Sequence, residues 1–219
     1  MTERLRVAVF VPSPFLGGVG MCLMNYLRHI DLSRFALDFF VRDDPPPQFA
    51  DEIRAHGGRI VRVPGFGHPL RYVRTVTRLL REGRYGIVHA NLNTLNAFAL
   101  CAAWRAGAPV RLAHSHVNSS WREPLRHLAK LALRPWANLF ATRFLACSEL
   151  AGRWQFGRKA FESGAVTLVR NAIDLGRFAF DPEKRADVRR RYGLGEAPVV
   201  GFVGRLVTQK NPDRMLDVF

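Results

Sequence analysis

Arg6-Val7-Ala8-Val9-Phe10-Val11, followed by Gly17-Gly18-Val19-Gly20 and then Met21–Ile30, reads as a strand, a glycine turn and a helix in succession. The first run is apolar almost throughout, as in a strand covered on both faces, and the third spaces its apolar residues by three and four. The alternation continues outward. Phe35–Val41, Arg59–Val63, Gly86–Ala90, Val110–His114, Arg143–Cys147 and Val166–Val169 have strand character, and Leu70–Leu80 and Asn96–Ala106 between them have helical spacing. Strands alternating with helices build parallel βαβ units, so the sequence predicts an α/β fold around an open, doubly wound parallel sheet.

The organisation changes near Asn171. Asn171-Ala172-Ile173-Asp174 leads into a basic helix that starts at Asp181-Pro182, contains Arg189-Arg190-Arg191 and stops at Gly193. Val199–Val203 then reads as a new strand and Asn211-Pro212 as a new helix start. The expected division is 1–170 as one domain, 171–197 as a linker with a basic helix, and 198–219 as the opening of a second α/β domain. A domain needs at least about 50 residues, so the second is expected to be incomplete at Phe219.

Composition narrows the class. With 219 residues and 48% hydrophobic content the chain can bury one full core. Its longest apolar stretch, Ala97–Trp104, is far short of the ~20 residues that cross a bilayer, and Leu5–Val11 is broken by Arg6, unlike a secretory signal. A cytoplasmic location is expected. Cys22, Cys101 and Cys147 lack metal-ligand spacing and sit in apolar neighbourhoods, as small buried side chains do. A net charge of +15, carried mostly by arginine, fits three partners: nucleic acid, an anionic membrane face or an anionic substrate. No aromatic and basic module for DNA or RNA accompanies it, so nucleic acid is not expected.

Ligands of such folds sit beyond the carboxyl ends of the strands. Four loops there carry candidates. Gly17-Gly18-Val19-Gly20 either makes a tight turn or lets backbone N–H groups approach a phosphate or sugar at a helix N-terminus; it does not fit the dinucleotide glycine spacing. His89 follows one strand. His114 and His116 end another and share a face, so they either make structural hydrogen bonds or line a polar cleft. A metal would need a third ligand, which His89 could supply from the neighbouring strand, but no carboxylate or cysteine accompanies the three histidines and no metal is expected. In Gly204-Arg205-Leu206-Val207-Thr208-Gln209-Lys210, Arg205 and Lys210 are either diphosphate-binding cations or two surface cations.

Together, Gly17-Gly18, Val88-His89, His114-Ser115-His116, Ala146-Cys147-Ser148, Asn171-Ala172-Ile173-Asp174 and Gly204-Arg205 through Lys210-Asn211 resemble, in order and spacing, glycosyltransferase family 4. The resemblance covers the whole chain. It is strongest to the exopolysaccharide and capsule branch, in which a run such as Met24-Asn25-Tyr26 follows the glycine loop. It implies a GT-B arrangement, two Rossmann-like domains across a cleft, of which this chain supplies the acceptor-side domain and the start of the nucleotide-sugar domain. It also implies a retaining transfer from a UDP- or GDP-linked sugar to a glycan or lipid-linked acceptor, with no cofactor and usually no metal. Gly17 and Gly18 would lie against acceptor and donor phosphate, His116 would contact the transferred sugar, and Arg205 and Lys210 would neutralise the leaving diphosphate. Many relatives carry an acidic residue where this chain has Gly20, and the family's paired glutamates would fall beyond Phe219, so the 219-residue chain alone is expected to be inactive.

Other functions consistent with the residues are a non-catalytic binding or regulatory domain and a basic membrane or nucleic-acid adaptor. For membrane attachment the best candidate is the helix after the capping pair Ser120 and Glu123. Arg122, Arg126, Lys130 and Arg134 fall in one stripe, opposite Leu125, Leu128, Leu131, Ala132 and Trp136, with a break expected at Pro135. The apolar side is expected on the sheet and the basic side towards anionic lipid, on the inner face of the membrane.

Overall fold

The computed structural model describes residues 4–13, 15–116, 124–204, 206 and 211–218, with the side chains of 124–126 outside the description. The chain divides into two units, 1–173 and 174–219. The first holds one seven-stranded parallel sheet in the order β3-β2-β1-β4-β5-β6-β7. Its strands are β1 Leu5–Phe10, β2 Phe35–Val41, β3 Ile60–Arg62, β4 Ile87–Ala90, β5 Val110–Ser115, β6 Arg143–Ala146 and β7 Val166–Leu168. The seven strand runs read from the sequence are all present.

The order places β1 inside the sheet, between β2 and β4 and with both faces covered, which is why Val7 to Phe10 are apolar without interruption. Two helix layers cover it. On one face α1 Gly18–His29 and α2 Pro47–Ala55 bury Leu23, Met24, Leu27 and Ile53 against Val7, Val9, Leu37 and Phe39. On the other, α3 Pro69–Glu82 and α4 Asn96–Ala106 bury Tyr72, Val76, Leu80 and Leu100 against Ala8, Phe10, Phe40 and Val88. Small residues let α4 lie close to its neighbours: Ala99, Ala102 and Ala103 are fully buried. It ends on Gly107 at φ 79, a left-handed cap that a residue with Cβ adopts only with strain. Pro47, in the run Pro45-Pro46-Pro47, starts α2, where its missing N–H costs nothing. Ser148, in Ala146-Cys147-Ser148, caps α6 Glu149–Phe156 by accepting from the Ala151 N–H at 3.2 Å.

The amino-terminal halves of the central strands are tied by one buried carboxylate. Asp38 is 2% exposed and accepts from the Arg6 guanidinium, from the Arg59 guanidinium at 3.0 Å and backbone N–H at 2.8 Å, and from the Tyr85 hydroxyl at 2.7 Å. Burial, and then this hydrogen bond, hold the Tyr85 phenol above its ordinary pKa.

Three expectations are corrected. Helix α5, Pro124–Leu139, runs through Pro135 without a break. Its outward face is the apolar one: Leu128, Trp136 and Leu139 are 52%, 57% and 66% exposed. Lys130 is half-buried, and Arg134 donates to the Trp154 carbonyl at 2.8 Å, because α5 lies against α4 and α6 and satisfies a free helix carbonyl there. Arg122, Ser120 and Glu123 lie outside the described residues, as does the side chain of Arg126. Third, Val199–Val203 forms no strand. Among the described residues of 174–218 there is no strand for it to pair with, and a strand needs a partner for its backbone groups. That second unit contains α8 Pro182–Arg191, with Asp181 capping Glu183 and Lys184 as the sequence suggested, and α9 Pro212–Val218. Helix α7, Arg158–Glu162, completes the first unit. Among the described residues no helix is long and apolar enough to cross a membrane.

Candidate functional site

Because the strands are parallel, the loops after β1, β4 and β5 open on one edge of the sheet, and the candidates of the first unit gather there. Gly17 precedes α1 in extended backbone and Gly18 begins the helix. A Cβ built on either meets nothing within 4 Å, so packing does not require glycine at these two positions. Gly20 differs: its Cβ would stand 2.0 Å from the Phe15 carbonyl oxygen. Glycine is structural at 20, which explains why no acidic side chain stands there.

The three histidines form one array. His89 Nε2 lies 3.0 Å from His114 Nδ1, the His89 and His114 rings stack at 5.2 Å, and the His114 and His116 rings are 4.0 Å apart. His116 Nε2 lies 2.8 Å from Asn91 Oδ1. Asn91 uses its Nδ2 to donate to the Phe10 and His89 carbonyls, both at 3.2 Å, so its Oδ1 is an acceptor and His116 carries its proton on Nε2. At His114 the proton is assigned to Nδ1, donating to His89, since the alternative leaves a buried N–H without an acceptor. Two bare lone pairs result. Among the described residues His114 Nε2 and His116 Nδ1 have no partner. Burial pushes all three rings down, to about 3 for His89, about 2 for His114 and about 4 for His116, with neighbouring histidines adding to the first two. At neutral pH the array is uncharged and holds two buried acceptor lone pairs.

Sequence reasoning found the histidines and missed the asparagines that set them. Asn93, at φ 56, accepts the His116 backbone N–H at 3.0 Å. Asn96 accepts the Leu92 N–H at 2.7 Å and donates to the His114 carbonyl at 3.4 Å. The signal was present in Asn91-Leu92-Asn93-Thr94-Leu95-Asn96, three amides directly after a strand, since Asn tolerates left-handed backbone and bonds locally. The Met24-Asn25-Tyr26 run is also accounted for: Met24 is core, Asn25 donates to the Ala172 carbonyl at 3.1 Å, and Tyr26 lines a groove beside His89.

Arg205 and Lys210 lie outside the described residues, so the structure does not place them beside this array. Among the described residues no group of three or more His, Cys, Asp or Glu is arranged to hold a metal ion. Cys22, Cys101 and Cys147 are free thiols; the first is buried and the others half-buried.

Comparison with known proteins matches the chain to a family. Residues 16–177 match the sequence profile of Glycosyltransferase Family 4. Over 202 residues the chain is 35% identical to a Bacillus subtilis (strain 168) protein named "Putative glycosyltransferase EpsF", covering 89% of this chain and 52% of that one. It is 30% identical over 238 residues to a GDP-mannose-dependent alpha-mannosyltransferase of Mycobacterium tuberculosis, covering 96% and 58%. Among solved structures, Anabaena Alr3699/HepE in complex with UDP and glucose superposes with a TM-score of 0.74 at 20% identity, over 98% of this chain and 57% of that chain. The chain spans about half the length of the curated relatives it matches. In fold it is the Rossmann-like half of a GT-B protein, and the chain belongs to glycosyltransferase family 4.

Proposed function

We propose that this chain is the acceptor-side part of a retaining glycosyltransferase that moves a sugar from a UDP- or GDP-linked donor to a growing, lipid-linked surface polysaccharide. The observation that carries the reading is the fixed, uncharged His116, whose Nδ1 lone pair has no partner among the described residues, at the end of β5 on the strand edge where α1 also begins. Breaking a glycosidic bond builds oxocarbenium character on the sugar. A neutral ring accepting a sugar hydroxyl orients that sugar without opposing the developing positive charge, whereas an imidazolium would oppose it.

Arg205 and Lys210 take the leaving diphosphate in this reading, and backbone at Gly17 and Gly18 approaches the phosphate. A donor phosphate oxygen receives the acceptor proton during front-face attack. Support for the donor class comes from the relatives' names, one GDP-mannose-dependent, and from the UDP and glucose bound by the Anabaena protein. The enzyme would act at the inner face of the cell membrane. For attachment, the outward apolar ridge of α5, Leu128, Trp136 and Leu139, replaces the basic stripe. Arg78, Arg81 and Arg105 line a groove between α3 and α4 in the same helix layer and supply the charge. Sedimentation with anionic and neutral liposomes tests this part; equal binding to both, or no loss on W136A, overturns it.

The transfer itself is tested with the complete gene product, a panel of UDP- and GDP-sugars, and NMR of the product. Retention of the donor's anomeric configuration supports the reading and inversion overturns the retaining step. No turnover of any nucleotide sugar overturns the transferase in favour of a binding domain.

A further inference from the structure

The exposed face of α3 carries its charge in a line. Arg71, Arg74, Arg78 and Arg81 are all exposed and follow one another by three, four and three residues. They therefore fall within about 80° of the helix wheel and run for about 15 Å along its axis. The line begins in the first turn of α3, beside the strand edge that holds the histidine array. Helix α4 lies close against α3, where the Thr77 hydroxyl donates to the Ala102 carbonyl at 3.3 Å. Between the two helices runs a groove of about 410 Å³ lined by Arg74, Thr77, Arg78, Arg81, Glu82 and Arg105. Its charges are not neutralised from within. Arg81 donates to the Arg105 carbonyl, an uncharged group, and keeps its charge. Among the described residues Arg74 and Arg78 have no carboxylate partner, and Glu82, one turn from Arg78, has no cation.

Four guanidiniums along a groove concentrate anions there, and each can hold a carboxylate by two parallel hydrogen bonds. The rest of the lining selects the anion. Glu82 only accepts hydrogen bonds, so it repels a negative group beside it and takes a hydroxyl. A ligand in which carboxylates alternate with hydroxyls fits both. No aromatic side chain lines the groove, so the bases of a nucleic acid would find nothing to stack on. A bilayer is drawn to the rim by charge, but it is flat, and Thr77, 7% exposed, lies below its reach.

We propose that the groove between α3 and α4 binds the growing polysaccharide as a linear acidic glycan, its uronic acid carboxylates on Arg74, Arg78, Arg81 and Arg105. The proposal rests on the surface-polysaccharide reading above and adds to it the chemical class of the glycan and a binding site apart from the histidine array.

The 219-residue chain is titrated by calorimetry with hexagalacturonate, its methyl ester and maltohexaose, at low and at physiological salt. Hexagalacturonate is expected to bind at least tenfold tighter than either neutral hexamer, by a margin that shrinks as salt rises. R78Q should weaken it several-fold and R74Q/R78Q/R105Q at least tenfold; these side chains are exposed and glutamine is as good a helix former, so the fold persists. R185Q/R190Q/R191Q removes the same charge from α8 and should leave binding unchanged. Equal losses from the two triple variants would trace the binding to the net charge of +15 and overturn the site. Polyphosphate or oligothymidylate of equal charge binding as tightly as hexagalacturonate overturns the sugar assignment. A groove triple variant that loses anionic liposomes and keeps hexagalacturonate gives the groove to the membrane and overturns the proposal as well. Nucleotide-sugar turnover of the complete gene product is read separately: turnover without hexagalacturonate binding sinks this assignment and leaves the transferase standing.

Discussion

Gly18 and Gly20 stand two residues apart at the start of α1, yet alanine at each should act with opposite sign. At Gly18 an added Cβ meets nothing within 4 Å and the residue is already helical. Alanine lowers the cost of helix by up to about 1 kcal/mol in an interior and by roughly half that in a first turn. G18A should therefore raise Tm by about 1–2 °C in a domain of this size. At Gly20 the Cβ would lie 2.0 Å from the Phe15 carbonyl oxygen, a backbone atom that moves only with its loop. Overpacking of this kind costs about 1–3 kcal/mol, so G20A should lower Tm by roughly 3–10 °C. Differential scanning calorimetry of both variants reads these shifts directly. The functional half uses initial rates of the complete gene product: G18A, folded and slightly stabilised, should raise the KM for nucleotide sugar by about tenfold, the worth of 1.4 kcal/mol. A stabilised G18A with unchanged KM would show that no phosphate approaches this backbone, and an unchanged Tm in G20A would refute the geometry of the loop.

D38A should destabilise the fold by about 3 kcal/mol, the lower end for a broken buried ion pair because Arg59 retains 57% of its side-chain exposure, seen as a lower urea midpoint at constant slope. N91L should remove the acceptor that sets the His116 tautomer and cut kcat by about tenfold, equivalent to 1.36 kcal/mol of lost orientation; a folded N91L with full kcat would count against it. The histidine array predicts a pH effect whose sign follows from its depressed pKa values of about 3, 2 and 4. Unfolded histidine takes up protons near pH 6.5 while the folded array stays neutral, so its stability contribution is full above 6.5 and is lost as pH falls towards 4. The slope approaches three protons, about 4 kcal/mol per pH unit, and equal urea midpoints at pH 7 and 5.5 would refute it.

The sheet was legible because parallel strands buried on both faces leave uninterrupted apolar runs, and all seven strand runs fall where those runs lie. Pattern failed where a neighbour decides. Helix α5 has a clean apolar side in sequence, but the helix layer on which it rests offers a Trp154 carbonyl to Arg134, and the apolar side faces outward. Val199–Val203 has strand composition and no strand partner among the described residues. The histidines were visible from their place after strands. Their protonation was not, because it depends on Asn91, whose amide is oriented by carbonyls from β1 and β4. The spare room at Gly18 and the collision at Gly20 look identical as letters.

The interior position of β1, between β2 and β4, has a consequence for synthesis of the chain. β1 pairs on one side with β2, complete by Val41, and on the other with β4, residues Ile87–Ala90. The strands β1, β2 and β3 are available once residue 62 has left the ribosome, and the other edge of β1 then waits for about 28 more residues, roughly 1–6 s at cellular elongation rates. During that interval Val7 to Phe10 present an unpaired apolar edge, the template on which another nascent chain can add. Slowing elongation across residues 63–90 should thus lower the soluble yield without changing a single contact of the finished fold.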